Sequence, residues 1–191
     1  AGEPVGDLTP ARAFELGIAM VPEDRKRQGL LLDQPVAANT TLPFLRRGSR
    51  VARLGWMAKR SERRAVRELL ADLSVVPESP GALVKTMSGG NQQKVLFGRC
   101  LFEDPRVLIL DEPTRGVDVG ARRAIHELVG NLAARGVGIV LISSDLEEVL
   151  GLAHRVLVMR RGAIVAEFGA DPSMDAVMDA AFGVERAAGA A

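Results

Sequence analysis

Two stretches of this chain carry residues that could act on a phosphate group. Met87-Ser-Gly-Gly-Asn-Gln-Gln93 is a tight turn set to open a helix, and Val107-Leu-Ile-Leu-Asp-Glu-Pro-Thr114 is an apolar run ending in two adjacent carboxylates. Ser88-Gly89-Gly90 offers free backbone N–H groups at a helix start with a hydroxyl beside them, an anion-binding arrangement. Its glycines let the backbone come close to a phosphate. Asp111 and Glu112 fall where a buried strand emerges, and in open α/β sheets ligands bind outside that carboxyl end. Asp111 could hold Mg2+, directly or through water, because Mg2+ takes hard oxygen ligands and keeps several waters. Glu112, one step further out, could polarise a water that attacks a γ-phosphate. Each feature has a plainer reading. The tripeptide alone favours a Gly-rich helix entry, and an apolar run followed by Asp-Glu is a common accident that leaves two solvated acids in a turn. Asn91-Gln-Gln-Lys94 after the turn and Pro113-Thr114 after the acids make the pair specific. A Gly-x-x-x-x-Gly-Lys-Ser/Thr loop, which would cradle the β- and γ-phosphates, occurs nowhere in the 191 residues.

The elements that must position these residues follow from periodicity. Residues 17–21 are apolar and stop at Pro22, as a strand would. Glu23-Asp-Arg-Lys-Arg-Gln-Gly29 reads as a charged loop. Residues 35–45 could start a helix that Pro43 interrupts. Val66, Leu69, Leu70 and Leu73 repeat at helical spacing and predict an amphipathic helix over roughly 60–73, broken by 77–81. A helix from Ser88 to about Phe102 stops near Pro105. Residues 107–110 and 138–142 are apolar runs that predict buried strands, the first covered on both faces. Ile125, Leu128, Val129 and Leu132 give a helix ending near Gly136. Ser144-Asp-Leu-Glu147 reads as a capping box opening a short helix. Residues 156–159 and 163–168 flank Arg160-Arg-Gly162 as a hairpin would. Asp171-Pro172 reads as the N-cap and first residue of a closing helix that carries Met174, Val177, Met178 and Ala181 on one face. Residues 1–16 read as polar and irregular, and the Ala/Gly-rich tail beyond Gly183 as frayed. The alternation of strand and helix predicts an α/β fold with a mostly parallel sheet, interrupted from about Val36 to Gly90 by a helical insert.

Composition narrows the function classes. Lys+Arg 25 against Asp+Glu 24 gives a net charge of +1, so nothing pulls the whole chain toward nucleic acid or an anionic membrane. The one cysteine, Cys100, cannot form an internal disulfide and suits a reducing cytoplasm, where it reads as a small apolar residue on a helix. No apolar run is long enough to span a bilayer, and no secretory signal is visible. The basic stretch over 46–67 contains a single aromatic, Trp56, which supports a solvated face over a nucleic-acid stacking platform. His126 and His154 fall on a helix surface and at a strand start, where structural roles are favoured.

Four pieces together resemble the ATP-binding cassette ATPases: Pro22-Glu-Asp-Arg-Lys26, Ser88-Gly-Gly-Asn-Gln-Gln-Lys94, Leu110-Asp-Glu-Pro-Thr-Arg-Gly-Val-Asp-Val-Gly120 and Ile142-Ser-Ser-Asp145. Within that family the chain resembles the second nucleotide-binding domain of bacterial monosaccharide importers of the ribose, galactose and xylose kind, over residues 17–182. The resemblance implies a P-loop NTPase-like, mostly parallel sheet with a helical subdomain insert, and with the N-terminal strands and phosphate loop missing. It divides the chain into a core remnant at 1–35, a helical subdomain at 36–90 ending in the signature loop, further core at 91–170, and a C-terminal helix and tail at 171–191.

By resemblance, Asp111 is the Walker B aspartate that meets Mg2+ and Glu112 the catalytic glutamate. Ser88, Gly89 and Gly90 are the signature residues, which in this family touch ATP held by another cassette across a head-to-tail dimer. Asp118 is similar to the aspartate of the loop that couples the two sites. Glu23 stands where most cassettes carry a glutamine that senses Mg2+ and water, and it adds negative charge beside the triphosphate. Asn91 replaces the usual signature glutamine, a mild change because both present an amide. Ser144 stands where most cassettes place a γ-phosphate-gripping histidine, and its plainer role is a helix N-cap. The implied cofactors are ATP and Mg2+. The implied partners are a second cassette, a transmembrane permease and, indirectly, a periplasmic or extracellular sugar-binding protein, with no nucleic acid. The implied location is peripheral, on the cytoplasmic face of the cell membrane.

Two functions follow: an ATPase subunit driving monosaccharide import, or a non-catalytic cassette that completes a partner's ATP site through its signature loop and docks on the membrane subunit. The DNA-repair and chromosome-organising relatives share the signature and Walker B motifs. Asn91-Gln-Gln93 and Arg115-Gly-Val117 argue for the importers instead, and no coiled-coil heptads flank the chain.

Overall fold

The computed structural model describes residues 6–44, 52–53, 56–57 and 59–184. The chain divides into two units, Ala1–Val140 and Leu141–Ala191. Within the first, residues expected to be irregular carry a short helix, α1 (Pro10–Glu15). The Thr9 hydroxyl caps it by accepting from Arg12 N–H at 3.2 Å, and Pro10 takes the first turn, where a missing N–H costs nothing. Strand β1 (Ile18–Val21) stops at Pro22 as predicted. The charged segment after it is not a loop. The Asp24 carboxylate accepts from the N–H groups of Lys26 and Arg27, both at 3.1 Å, and opens a π-helical turn over Arg25–Gly29.

Helix α2 (Val36–Thr41) passes into a 3-10 turn, Leu42–Phe44, at the predicted interruption. Strands β2 (Ala52–Arg53) and β3 (Trp56–Met57) pair antiparallel. The rest of the basic stretch between 45 and 58, and the side chain of Trp56, lie outside the described residues. Helix α3 (Lys59–Asp72) buries Val66 and Leu70 along one stripe. Its stripe also buries Glu62, whose Oε1 lies 2.6 Å from the Thr41 hydroxyl of α2.

Helix α4 (Gly89–Leu101), strand β4 (Val107–Asp111), helix α5 (Val119–Ala134) and strand β5 (Gly138–Ile142) follow. The sheet order is β1-β4-β5, with β1 parallel to β4 and Val21 opposite Leu110. Its burial departs from expectation. Leu108 and Leu110 are fully buried, but Val107 and Ile109 are only half-buried, and Val140 and Ile142 of β5 are 49% and 48% exposed. Successive strand residues point to opposite faces, so an apolar run is covered on both only when both faces meet a layer. Among the described residues one face of β4 is closed completely.

Helix α4 is the centre of the first unit. Val95, Leu96 and Phe97 are consecutive and all buried, which a helix permits only when it is covered nearly all round. α2, α3, α5 and β1 all pack against it. Asn39 is buried in α2 and knots the preceding turn, accepting from Leu31 N–H at 2.7 Å and donating to Leu31 O at 2.9 Å.

In the second unit, helix α6 (Leu146–Leu152), strands β6 (Val156–Arg160) and β7 (Ala163–Phe168) and helix α7 (Met174–Phe182) enclose a small core of Val156, Val158 and Val177. The hairpin turn at Arg161-Gly162 has φ of +51° and +80°, the two positive values of a tight type I′ connection. Two caps differ from expectation. Asp145, not Ser144, caps α6, its carboxylate accepting from Glu148 N–H at 3.3 Å. Ser173, not Asp171, caps α7, accepting from Ala176 N–H at 3.2 Å. The α7 stripe is also narrower than predicted: Val177 is buried, whereas Met174 and Met178 are 45% and 41% exposed. Most of the tail beyond Gly183 lies outside the described residues. No helix among the described residues is long and apolar enough to cross a membrane.

Cys100 is buried in α4, and its thiol donates to Met20 O at 3.2 Å. Burial pushes its pKa up to about 12. Iodoacetamide at pH 8 should therefore leave Cys100 unmodified in the folded chain and alkylate it after denaturation, as read by mass spectrometry. The raised folded value favours the fold fully below the unfolded thiol pKa of about 8.5, and that contribution is lost as pH rises toward the folded value.

Candidate functional site

Parallel pairing brings the first two pieces of the site together. With Val21 opposite Leu110, the carboxyl ends of β1 and β4 leave the sheet side by side, so Pro22-Glu23 and Asp111-Glu112 emerge at one edge. Asp111 closes β4 and is half-buried. Glu112 has φ of +47°, a conformation that residues with side chains rarely take. The following turn holds it there. Arg115 N–H donates to Glu112 O at 3.1 Å, Val117 N–H donates to Thr114 O at 3.4 Å, and Pro113 and Thr114 are buried. The turn ends at Asp118, which caps α5 by accepting from Ala121 N–H at 2.8 Å.

Glu23 forms an ion pair with Arg115 of that turn. Both side chains are well exposed, so the pair adds at most about 1 kcal/mol of stability. Its effect is local: the negative charge that Glu23 brings to this edge is matched by a cation from the opposite turn.

The Ser88-Gly89-Gly90 segment is built on the start of α4. Ser88 is its exposed N-cap, and its Oγ accepts from Asn91 N–H at 3.4 Å and from Asn91 Nδ2 at 3.0 Å. Asn91 Oδ1 accepts in turn from Val76 N–H at 2.9 Å. Lys94 Nζ donates to Ser74 O at 2.9 Å, and the buried Gln92 amide donates to Val84 O and Met87 O at 3.2 and 3.3 Å. The first turn of α4 is thereby tied to the whole segment that precedes it.

Gly89 and Gly90 lie where a side chain would crowd their neighbours. A Cβ on Gly90 would stand 2.8 Å from Ala121 Cβ and 3.7 Å from Asp118 Oδ2. A Cβ on Gly89 would meet Arg25 Nη2 at 2.9 Å and Gly116 O at 3.5 Å. The missing side chains let the Ser88-Gly89-Gly90 turn lie directly on the start of α5. Arg25 fastens the arrangement: Nη1 donates to Arg115 O at 3.1 Å and Nη2 to Gly116 O at 3.2 Å. Its Nε is buried without a hydrogen-bond partner, and among the described residues its guanidinium meets no carboxylate.

The first unit therefore links Glu23, Gly89, Gly90 and Asp118 through direct contacts, with Ser88 and Asn91 on the adjoining turn and Asp111 and Glu112 on the strand end that leads into it. Ser144 belongs to the second unit, where it is exposed and lies just before the Asp145 cap. His126 is half-buried on α5, and His154 is exposed just before β6. Sequence reasoning missed Arg25, Arg115, Ala121 and Val76 as parts of the site. Arg25 lies within one of the quoted motifs, but its carbonyl partners are some ninety residues away along the chain. Among the described residues no three His, Cys, Asp or Glu side chains gather as a metal site.

Replacing Gly90 by alanine should push α4 off α5 and destabilise the fold by about 1–3 kcal/mol, as overpacking does. Denaturant unfolding checks this. Combining it with Ala121→Gly, which removes the opposing methyl, should lose clearly less than the sum of the two single changes.

Residues 2–115 match the family described as ABC transporter. The chain is 47% identical over 188 residues to the ribose import ATP-binding protein RbsA of Geobacillus kaustophilus, covering 97% of this chain and 37% of that protein. It is 48% identical over 167 residues to the xylose import ATP-binding protein XylG of Burkholderia ambifaria, covering 87% of this chain and 32% of that protein. The chain thus spans about a third of the length of these relatives. Among solved structures, the ADP conformation of MJ1267, an ATP-binding cassette of an ABC transporter, superposes with a TM-score of 0.70 at 23% identity, covering 93% of this chain and 69% of that one. A post-hydrolysis dimer of the ATP-binding cassette MJ0796 bound to ADP and Pi superposes with a TM-score of 0.68 at 20% identity, covering 85% and 68%. These likenesses establish the fold as the α/β architecture of the cassette ATPases. By family match and by its relatives, the chain belongs to the ABC transporter family, as ATPase-domain sequence related to the ribose and xylose import ATP-binding proteins.

Proposed function

We propose that this chain works as part of the ATP-binding subunit of a monosaccharide importer, coupling ATP hydrolysis to transport through a membrane permease from the cytoplasmic face. The observation that carries the reading is the direct packing of the Ser88-Gly89-Gly90 turn on the start of α5. There Gly90 lies against Ala121 and Asp118, and Arg25 locks the adjoining turn. In this reading Ser88, Gly89 and Gly90 close over the triphosphate of an ATP held by a second cassette, and Asp118 lies at the junction of the two sites. The names of the ribose and xylose import relatives support the sugar class.

Asp111 and Glu112 serve the nucleotide on their own side. A single half-buried carboxylate at a strand end fits Mg2+, which is held by one or two carboxylates plus substrate phosphates rather than by an all-protein cage. Asp111 would hold the ion, which when bound neutralises charge on the phosphates. Glu112, turned out of the strand by its positive φ, would act as the base that orients and deprotonates the attacking water. Ser144 would take the place of the γ-phosphate-gripping histidine, with a hydroxyl in place of an imidazole.

A second reading treats this half of the assembly as non-catalytic, offering its signature turn to another cassette and docking on the permease. The Glu23–Arg115 pair favours it, because the acid that replaces the usual glutamine is engaged by a cation of the same chain. The placing of the chain as the second cassette of its polypeptide belongs to this proposal as well.

In this reading the β- and γ-phosphates are cradled by a segment other than these residues, which hold no Gly-x-x-x-x-Gly-Lys-Ser/Thr pattern. The isolated chain should accordingly show no ATP binding by calorimetry at millimolar or lower nucleotide, and tight Mg·ATP binding would show that these residues hold the triphosphate without that cradle. When the chain is assembled with a segment that supplies the phosphate loop, Glu112→Gln should lower kcat by about 100-fold or more if its site is catalytic. Unchanged turnover would select the second reading.

A further inference from the structure

Asn91 has one amide orientation that its neighbours allow. Val76 N–H can only donate, so the atom 2.9 Å from it is the amide oxygen. The amide nitrogen then lies 3.0 Å from Ser88 Oγ and can only donate to it. The backbone N–H of Asn91 donates to the same oxygen at 3.4 Å. A serine hydroxyl has one proton and two acceptor lone pairs. With both lone pairs engaged from behind, exposed Ser88 has its O–H left to give.

We propose that Asn91 is a positioning residue. The relay from Val76 N–H through the Asn91 amide to Ser88 Oγ fixes Ser88 as a hydrogen-bond donor and so selects a ligand atom that only accepts, an ionised phosphate oxygen. The inference rests on the reading of residues 88–90 as the turn that meets a nucleotide, and it assigns Asn91 a task other than touching that nucleotide. A serine left to itself could donate or accept and would tolerate a hydroxyl or an ammonium equally. The relay removes that freedom, and it is anchored at a backbone N–H in the segment between α3 and α4, where rotation of a side chain cannot undo it.

The test is ATP hydrolysis by the chain assembled with a cassette that supplies the phosphate loop, comparing Ser88→Ala, Asn91→Asp and the double variant. Aspartate is isosteric with asparagine. One of its oxygens keeps the Val76 bond, while the other accepts the Ser88 proton and turns the hydroxyl inward. Each single variant should lose about tenfold to a hundredfold in kcat/KM, the range expected for a hydrogen bond to a charged oxygen. The double variant should fall within about threefold of Ser88→Ala alone, because the relay acts only through that hydroxyl. Asn91→Leu, which breaks the relay without adding charge, should show the same coupling and stands in if the aspartate variant fails to fold. The activity of Asn91→Asp relative to the native chain should also rise as pH falls below about 5, since a protonated carboxyl donates as the amide does.

Full additivity with Ser88→Ala would show that Asn91 acts by charge or by general stability and would overturn the relay. So would a costly Ser88→Ala beside a harmless Asn91→Asp. If Ser88→Ala itself costs nothing, the reading of the signature turn fails and takes the relay with it.

Discussion

The parallel ladder between β1 and β4 is the constraint on which the rest of the first unit depends. Its register sets Val21 opposite Leu110, both fully buried, and a slip by one residue would turn each strand's buried side chains to the opposite face. The same register decides what happens beyond the sheet. It delivers Glu23 to the edge where Asp111 ends β4, within reach of the turn that carries Arg115. It also sets Arg25 where its guanidinium can cap the carbonyls of Arg115 and Gly116. Two segments some ninety residues apart in the chain become one edge because two short strands pair in one way.

Helix α4 supplies the rigidity that edge needs. Burial of Val95, Leu96 and Phe97 contributes about 1.5–3 kcal/mol for each side chain, far more than any exposed ion pair of this unit. The Ser88-Gly89-Gly90 turn opens this well-anchored helix, so its backbone N–H groups are held by the core and not by the loop before them. The polar ties of Asn91, Gln92 and Lys94 act in the other direction, fastening the preceding segment to the helix. The small core of Val156, Val158 and Val177 in the second unit is a separate and lighter construction.

Much of this arrangement is legible in local sequence, because local sequence controls caps, turns and periodicity. Ser88 as a helix start, Arg161-Gly162 as a hairpin turn and the break at Pro43 all rest on short-range sterics. Reading fails where the deciding contact is distant or where two local rules compete. The π-helical turn at Arg25–Gly29 is closed by the Leu30 N–H to Arg25 O bond at 2.8 Å and capped by the Asp24 carboxylate, a detail that charge alone conceals. Ser144 and Asp145 could each cap α6, and the helix starts one residue later than the capping box suggests, at Leu146, which leaves the cap to Asp145. Thr9-Pro10 carried a capping signal that the surrounding polarity hid. The apolar runs of β4 and β5 state that a strand can be covered on both faces, not that it is. At the site, glycines 89 and 90 were legible as a tight turn opening a helix. The nearness of Arg25 and Ala121 to them depends on how helices pack and is written nowhere near them in the chain.

The Glu23–Arg115 pair has a consequence for how sequences of this kind can diverge. Because the two charges face each other across the sheet edge, they form one electrostatic unit although neither contributes much to stability. Changing Glu23 alone to a neutral amide would leave Arg115 an unmatched cation, and changing Arg115 alone would leave Glu23 an unmatched anion at the same edge. Each single step alters the local potential by a full charge, whereas the paired step alters it by none. Positions 23 and 115 are therefore expected to change together in relatives that keep this edge, acid with base or neutral with neutral.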